Sequence, residues 1–358
     1  MRNSPGEGAR RRAAPEGVDV MAKGLVVLAG GSGFLGRALS GELTRAGYEV
    51  VVLTRKARGG AAGVREAVWD GRGVGEWARL LEGAEAVVNL AGRSVNCRYT
   101  RRNRREIVES RVRSVEALGR AMRACARPPK VFVQVASLAI YGDAGPRVCC
   151  EDAPAGRGFS AETCVRWEQA FDALNLPATR KVLLRTGFVL GCAGGALSTL
   201  ARLARCYLGG TVGGGRQYVS WLHVRDFTRI VLWCLGRGEA AGVYNATGPS
   251  PVTNAEFMCE LRCALRRPWS PRTPAPLVRL GAFLMGTEAE LALAGRRGLP
   301  DRLVEQGFKF MYTNLEAALA DIFYKPAAER AAATSERRPV AALKAREVIA
   351  GGRSGVGS

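Results

Sequence analysis

A short apolar run that leads straight into closely spaced glycines constrains the fold of this chain more than any other feature. Residues 25–29 read Leu-Val-Val-Leu-Ala, and Gly30, Gly31, Gly33 and Gly36 follow. Glycines at this spacing let the backbone turn sharply, approach phosphate groups and pack the next helix against the strand. Amides at the start of that helix, together with the helix dipole, favour an anion. The sequence therefore predicts a strand, a turn and a helix that hold the pyrophosphate of a dinucleotide.

The residues that follow the glycines support this interpretation. Leu35, Leu39 and Leu43 recur at helical spacing, Gly47 offers a helix end, and residues 48–53 read as a second strand. A glycine motif alone is weak evidence, but this context makes an ordinary glycine-rich turn the less favoured alternative.

The residues after the second strand bear on the choice between NAD(H) and NADP(H). NAD sites usually place an acidic residue there for the ribose hydroxyls, whereas an arginine suits a 2′-phosphate. This chain has Thr54, Arg55 and Lys56 in that place and no acid. The sequence therefore favours NADP(H), with Arg55 on the 2′-phosphate; the alternative is that Arg55 and Lys56 are solvated surface charges.

Length, charge and cysteine spacing exclude several classes of protein. The chain has 358 residues, enough for one large α/β domain and an appendage, and no segment has the roughly 18 apolar residues of a membrane span. Its ten cysteines lack metal-ligand spacing, which predicts no metal site and a reducing, cytoplasmic location. The net charge of +21 fits a solvated basic face or an anionic ligand. Nucleic acid is disfavoured, because no aromatic ladder or known nucleic-acid module accompanies the charge.

The rest of the chain alternates between buried strands and helices. Further strands are expected at 86–90, 131–135 and 182–184, with a long helix around 107–122. This alternation predicts an α/β fold with a doubly wound parallel sheet. The predicted organisation is a disordered extension (1–22), a dinucleotide-binding domain (23–267) with substrate-side loops at 191–225, a small C-terminal domain (268–326) with helical patterns around 277–294 and 315–323, and a disordered tail (327–358).

Several motifs in a fixed order resemble a known family. They are the glycine turn, Asn89 to Gly92, Ser137 to Gly142, Arg185 to Leu190, His223 to Asp226 and Asn245 to Gly248. This order resembles the extended short-chain dehydrogenases/reductases, and most closely an atypical branch called epimerase family proteins. That branch is similar to nucleotide-sugar epimerases and carries a C-terminal domain of unknown function. The resemblance runs from about Leu25 to Ile322.

The resemblance implies a Rossmann-type sheet with a smaller C-terminal α/β region on the substrate side, and NADP(H) as the cofactor. With the glycine spacing, it places cofactor contacts on Gly30, Gly31, Ser32, Gly33, Phe34, Leu35, Gly36, Arg55, Asn89, Leu90, Ala91 and Gly92, and on Phe188 or Val189 beside the nicotinamide.

Catalysis is the difficult part of the resemblance. Hydride transfer to a carbonyl needs a proton donor, which the wider family supplies as Tyr-x-x-x-Lys plus a Ser at the preceding strand end. Ser137 stands at that strand end, but the helix has Ser160 and Cys164 where Tyr and Lys are expected. We therefore take Tyr141 as the first candidate donor with Ser137 as its hydrogen-bond partner, and Cys164 or Glu168 as further candidates.

Each candidate also has a structural interpretation. Tyr141 could pack its loop, Ser137 could cap local backbone, Cys164 could fill the core and Glu168 could pair with Arg166 or another arginine. The sequence thus leaves open an NADP(H)-dependent oxidoreductase or epimerase-like enzyme, a non-catalytic NADP(H)-binding sensor or scaffold, and a nucleic-acid binder with a vestigial dinucleotide site.

A glycine-rich stretch after residue 208 indicates a substrate side of the cleft. Arg216, Gln217 and Trp221 are its candidate substrate contacts, and the substrate is a small molecule for which an anion is one option. His223, the only histidine, is interpreted as structural, with one ring nitrogen bonded to backbone and Asp226 capping the next helix.

Overall fold

A computed structural model describes residues 23–57, 59, 63–267 and 269–324 of the chain. The expected N-terminal extension (1–22) and the expected tail (327–358) lie outside the described residues. The described strands are β1 (Leu25–Ala29), β2 (Glu49–Thr54), β3 (Val64–Val68), β4 (Ala86–Asn89), β5 (Val131–Ser137), β6 (Val148–Cys149), β7 (Arg180–Thr186), β8 (Phe188–Leu190), β9 (Tyr218–Val219), β10 (Trp221–His223), β11 (Gly242–Ala246), β12 (Val252–Thr253) and β13 (Arg297–Gly298).

Ten helices accompany these strands within the described ranges. They are α1 (Phe34–Arg45), α2 (Arg101–Arg123), α3 (Phe159–Asp172), α4 (Ala196–Arg205), α5 (Val224–Gly236), α6 (Asn254–Ala264), α7 (Ala275–Leu284), α8 (Glu290–Leu293), α9 (Asp301–Glu305) and α10 (Leu315–Tyr324), with single 3₁₀ turns at Glu76–Leu81 and Leu138–Tyr141. None of the described helices is long and apolar enough to cross a membrane.

Seven of the strands form one parallel sheet in the order β11-β7-β5-β4-β1-β2-β3. β2 and then β3 are added on one side of β1, and β4, β5, β7 and β11 are then added in turn on its other side. This reversal of strand order confirms the predicted doubly wound sheet. It also opens a crevice between β1 and β4 at their carboxyl ends, where such sheets bind ligands.

Helices cover both faces of the sheet, which is why its central strands are almost continuously apolar. On one face, Leu39 of α1 and Ile230 of α5 are fully buried against the strands. On the other face, Leu118 of α2 and Phe171 of α3 do the same. Each such side chain contributes about 1.5–3 kcal/mol of hydrophobic stabilisation.

The two edge strands, β3 and β11, were not expected from the sequence. β3 is a mixture of exposed and half-buried residues, and β11 begins at an exposed glycine. Neither has the long apolar run that identified the central strands. The other five strands of this sheet lie where they were expected, within two residues at their ends.

The C-terminal residues pack onto the substrate side of the sheet. Leu319 of α10 shares a hydrophobic cluster with Leu261 of α6 and Trp221 of β10. β13 pairs in parallel with β6, in the loop that follows β5. Contacts therefore cross residue 268, and the domain boundary placed there stays a prediction.

Candidate functional site

Three glycines of the turn after β1 are packed too tightly for any side chain. A Cβ on Gly30, which has φ +74°, would lie 2.8 Å from the backbone of Ala91. A Cβ on Gly31 would lie 2.9 Å from the side chain of Val52, and one on Gly36 would collide with the backbone of Gly31. The turn is therefore pressed between β2, the turn after β4 and the first turn of α1, as the sequence predicts.

Gly33 differs, because the protein leaves space in front of it. A Cβ there would meet only the carbonyl oxygen of residue 30, at 3.8 Å. Gly33 is the N-cap of α1, which has no side-chain cap and no acid in its first turn. The ring of Phe34 packs under the glycines at 191–195, and Leu35 is half-buried. A helix start of this kind attracts an anion such as a pyrophosphate.

Arg55 lies beside this turn. The amide of Gly30 donates to the carbonyl oxygen of Leu53 at 3.0 Å, and Arg55 follows two residues later with an exposed side chain. The sequence analysis did not single out Arg37 of α1. Its guanidinium bends back over the turn and donates to the carbonyl oxygen of Ser32 at 2.7 Å. The two exposed arginines Arg37 and Arg55 therefore belong to segments that contact this turn.

Asn89, at the end of β4, shapes the neighbouring turn and does not offer its side chain to a ligand. The side chain is fully buried and donates to Gln134 Oε1 at 2.9 Å and to Ser114 Oγ at 3.2 Å. Its Oδ1 accepts the amide of Ala91 at 3.0 Å. This corrects the expected direct cofactor contact of the Asn89 side chain, whereas Leu90 and Ala91 are half-buried and Gly92 is exposed.

Tyr141 lies in a buried polar network. Its side chain is 1% exposed, and its hydroxyl lies 2.8 Å from the carbonyl oxygen of Cys150 and 2.9 Å from Asn245 Oδ1, either of which can accept its proton. The same hydroxyl accepts Arg185 Nη1 at 2.9 Å. Burial raises the pKa of Tyr141 more than Arg185 lowers it, so the phenol stays protonated at neutral pH. All of its hydrogen-bonding capacity is used inside the protein.

Arg185 is also the ion-pair partner of Glu168. Its Nη2 and Nε donate to the Glu168 carboxylate at 2.8 and 3.0 Å, and both side chains are nearly buried. The partner of Glu168 is therefore Arg185 and not Arg166, and the carboxylate is committed to an ion pair. Ser137, at the end of β5, is half-buried, and its hydroxyl accepts the amide of Ala139 at 3.1 Å. It caps the 3₁₀ turn, which is the structural alternative left open by the sequence.

Ser160 and Cys164 lie in the first two turns of α3, as expected. Cys164 is buried, and burial raises the pKa of its thiol to about 12, so it is a neutral group. The phenol of Tyr99, from the loop before α2, interacts with Ser160, and its ring packs edge-on against Phe159 at 4.8 Å. Burial raises the pKa of Tyr99 as well, so this phenol is protonated at neutral pH.

The two expected nicotinamide neighbours follow β7 directly. Val189 is buried in the main core of the sheet, whereas the half-buried ring of Phe188 packs edge-on against Phe257 at 5.7 Å. Of the pair, Phe188 is the side chain with surface to offer a ligand.

The expected substrate contacts on the glycine-rich stretch divide into three kinds. Trp221 is fully buried, and its indole nitrogen donates to the carbonyl oxygen of Ser250 at 2.7 Å, so the substrate role predicted for it is wrong. Gln217 donates to the carbonyl oxygens of Val212 and Ala292 at 3.0 and 3.2 Å and ties the loop to α8. Arg216 is exposed. It remains the one candidate with a free surface.

His223 has the structural role that the sequence indicates. Its Nδ1 accepts the amide of Arg225 at 3.2 Å at the start of α5, and its Nε2 lies 3.3 Å from Asp321. The expected capping role of Asp226 is wrong. Its carboxylate accepts the amides of residues 311 and 312 at 2.8 and 3.0 Å, which holds the C-terminal part against α5.

Comparisons with known proteins agree with the fold and with the glycine turn. Residues 26–247 match the NAD dependent epimerase/dehydratase family, and residues 273–322 match a domain of unknown function, DUF1731. Epimerase family protein Mb2239 of Mycobacterium bovis is 33% identical over 308 residues, which cover 86% of this chain and 100% of that protein.

Two solved structures extend the likeness to three dimensions. The crystal structure of human epimerase family protein SDR39U1 (isoform 2) with NADPH has a TM-score of 0.76 and 31% identity, covering 84% of this chain and 100% of that chain. The nucleoside-diphosphate sugar epimerase of Corynebacterium glutamicum has a TM-score of 0.67 and 29% identity, covering 87% of this chain and 61% of that one. The chain therefore belongs to the NAD dependent epimerase/dehydratase family, as a member whose C-terminal part is a DUF1731 domain.

Proposed function

We propose that this protein binds NADP(H) and uses it to oxidise, reduce or epimerise a small molecule in the reducing environment of the cytoplasm. The observation that carries the proposal is the uncapped start of α1 behind Gly33, with Arg55 exposed beside it. The helix start suits the pyrophosphate, and the guanidinium suits the 2′-phosphate that distinguishes NADP(H) from NAD(H). The NADPH in the human relative's structure supports the same choice.

The cofactor preference can be measured without knowledge of the substrate. NADPH and NADH are titrated into the wild type, into Arg55→Ala and into Arg123→Ala. Arg123 is an exposed arginine at the end of α2, near the amino ends of the strands and away from the crevice. Loss of a charged hydrogen-bond partner is worth about 1.5–3 kcal/mol, so Arg55→Ala should weaken NADPH binding by about tenfold or more and leave NADH binding nearly unchanged.

Arg123→Ala controls for the loss of one positive charge anywhere on this basic protein. Equal wild-type affinities for NADPH and NADH would contradict the proposed cofactor preference. Equal losses in both variants would show that net charge, and not the position of Arg55, attracts NADPH.

A non-catalytic sensor or scaffold is the second candidate, favoured by one specific observation. In α3 the positions expected for Tyr and Lys hold Ser160 and a neutral, buried Cys164, and the hydroxyl of Tyr141 is fully engaged. A reductase without a general acid loses a factor of about 10² to 10⁴ in rate, so slow turnover remains compatible with this site.

Turnover separates the two candidates. The protein is incubated with NADPH and pools of carbonyl compounds, carboxylated and phosphorylated ones included, while NADPH absorbance is followed. Consumption that depends on one compound and disappears in a variant unable to bind NADPH supports an enzyme. NADPH binding without consumption in any pool supports the sensor.

A further inference from the structure

Arg111 of α2 is held with its guanidinium against the ligand-facing side of the sheet. Its Nη1 donates to the carbonyl oxygens of Arg93 and Ile107, each at 3.0 Å, and the guanidinium lies 5.1 Å from the ring centre of Trp167. A Cβ on Gly92 would lie only 3.3 Å from its Cζ. The group is therefore fixed in orientation beside the turn that follows β4, at the crevice.

Arg296 approaches from the C-terminal part. It stands between α8 and β13, and its Nε donates to the carbonyl oxygen of Gly142 at 3.1 Å. The hydroxyl of Ser220 donates to the carbonyl oxygen of Arg296 at 2.8 Å, which fixes the backbone there. Like Arg111, this arginine is held mainly by neutral backbone groups.

Both guanidinium groups lie near Cys164 of α3. Arg111 packs over Trp167, one turn further along α3, and Arg296 bonds to Gly142, which follows Tyr141 in a turn whose buried residues cluster with Cys164. Each interacts electrostatically with the thiol of Cys164, which lies at the position expected for the lysine of the wider family. The thiol is not their counter-ion, because its pKa of about 12 keeps it neutral. Tyr99 also interacts with Arg111 and is protonated at neutral pH, so it adds a hydroxyl donor and no charge.

No carboxylate pairs with either arginine in the described part of the chain, where every ion pair within 4.0 Å involves other residues. Asp143 and Glu290 act on Arg296 from a greater distance, and Asp143 Oδ1 already accepts the amide of Gly295 at 3.1 Å. Burial lowers the pKa of both arginines, which reflects the cost of removing these cations from water. Both arginines are half-buried by accessible surface. Charges withdrawn from water in proteins are normally paired, so this arrangement lacks an anion.

We propose that Arg111 and Arg296 bind a carboxylate or phosphate group of the substrate, at Cys164 of α3 and next to the turn that follows β4. A guanidinium presents a fork of donors that matches the oxygens of such a group. Because one arginine comes from α2 and the other from the DUF1731 part, the anion would join the two parts of the cleft and hold the substrate at the carboxyl edge of the sheet. As an assignment of substrate class, the inference rests on the proposed function.

The proposal also gives a reason for the unusual residue at position 164. A lysine there would bring a third positive charge between two guanidinium groups, and like charges at close range repel strongly where water is excluded. The short, neutral side chain of Cys164 removes that repulsion. The loss of the Tyr-x-x-x-Lys lysine then accompanies the binding of an anionic group at the same place.

The test uses small anions as probes and needs no turnover. Malonate and inorganic phosphate are titrated separately by calorimetry, at low ionic strength, into wild-type protein with and without bound NADPH. The variants are Arg111→Met, Arg111→Lys and Arg296→Met, and the control is Arg105→Met, an exposed arginine on the same helix as Arg111. We expect saturable binding of at least one probe to the wild type, and the stronger probe identifies the preferred oxyanion.

Arg111→Met and Arg296→Met should each weaken that binding by about tenfold or more, whereas Arg105→Met should not change it. Arg111→Met removes two hydrogen bonds to carbonyl oxygens. If this variant does not fold, probe binding by Arg111→Lys and Arg296→Met still tests whether the two arginines bind the anion. The proposal is overturned if the wild type binds neither probe, or if Arg105→Met loses as much affinity as Arg296→Met.

NADPH titrations of the same proteins distinguish failure of this proposal from failure of the proposed function. A wild type that does not bind NADPH contradicts the proposed function, while the probe titrations without NADPH still decide the anion site. Loss of NADPH binding in Arg111→Met, with probe binding intact, would assign Arg111 to the cofactor and overturn the anion site.

Discussion

Replacing Tyr141 by phenylalanine separates a structural tyrosine from a catalytic one. The change removes a single oxygen from the network that joins Cys150, Asn245 and Arg185. It leaves the ring in place among its buried neighbours, so packing is nearly unchanged. From the geometry described above, we expect the effect to fall on stability and not on the reaction.

The size of the effect follows from what is left behind. The acceptor that holds the phenol proton, either Asn245 Oδ1 or the carbonyl oxygen of Cys150, loses that donor, while Arg185 Nη1 keeps the carbonyl oxygen of Glu151 at 2.8 Å. An unsatisfied buried acceptor costs about 1–3 kcal/mol, and the loss of a donor's second partner costs less. Tyr141→Phe should therefore lower the free energy of unfolding by about 1–3 kcal/mol.

Urea denaturation measures the stability change, and NADPH consumption measures the rate once a substrate is known. The matched control is Tyr207→Phe, because Tyr207 is 47% exposed. The control should be neutral in both assays. A fall in rate of about 10² or more in folded Tyr141→Phe, with little change in stability, would refute this reasoning and restore Tyr141 as the proton donor.

Two further predictions concern the glycine turn and a buried acid. Gly36→Ala should abolish NADPH binding, because its Cβ collides with the backbone of Gly31. The control is Gly41→Ala in the same helix, where a Cβ has room and should stabilise the protein by up to about 1 kcal/mol. Equal NADPH affinities of the two variants would contradict this prediction. Burial raises the pKa of Glu151, so the wild type loses stability as pH rises from the unfolded pKa of about 4.3 to the higher folded pKa. Glu151→Gln can still accept the amide of Asn245 and carries no titrating group there, so its stability relative to the wild type should rise over the same pH range. Urea midpoints at about pH 4 and about pH 7 check the sign, and a difference between the two proteins that does not grow with pH would contradict it.

Local sequence predicted the first strand, turn and helix because the apolar run, the glycines and the helical leucines follow one another directly along the chain. Gly31 packs against Leu28 of β1 and Gly36 packs against Gly31, whereas the packing of Gly30 against Ala91 needed the fold. The same holds for the long helix α2, whose apolar residues recur at helical spacing. The parallel, doubly wound type of the sheet follows from the alternation of strands and helices, whereas the order of its strands was learned from the structure.

The site residues whose surroundings the sequence did not reveal are those whose partners are far away along the chain. Trp221 was taken for a substrate contact, and only the parallel pairing of β10 with β8 shows that it belongs to the core. The hydroxyl of Tyr141 is engaged by Arg185 and Asn245, which are 44 and 104 residues away. Arg111 was not predicted as a ligand contact, because a guanidinium without a carboxylate partner cannot be recognised before the fold is known.

The C-terminal part shapes the cleft through bonds to backbone groups, which has a consequence for substrate specificity. Ser220 donates to the carbonyl oxygen of Arg296 and accepts the amide of Gly298, both at 2.8 Å. Asp226 accepts two further backbone amides, from residues 311 and 312. Because these bonds do not use the side chain at 296, the main chain there would keep its place under many substitutions. The side chain at 296, which we propose binds the substrate, can therefore change while the fold stays the same, and membership of this family does not by itself name the substrate.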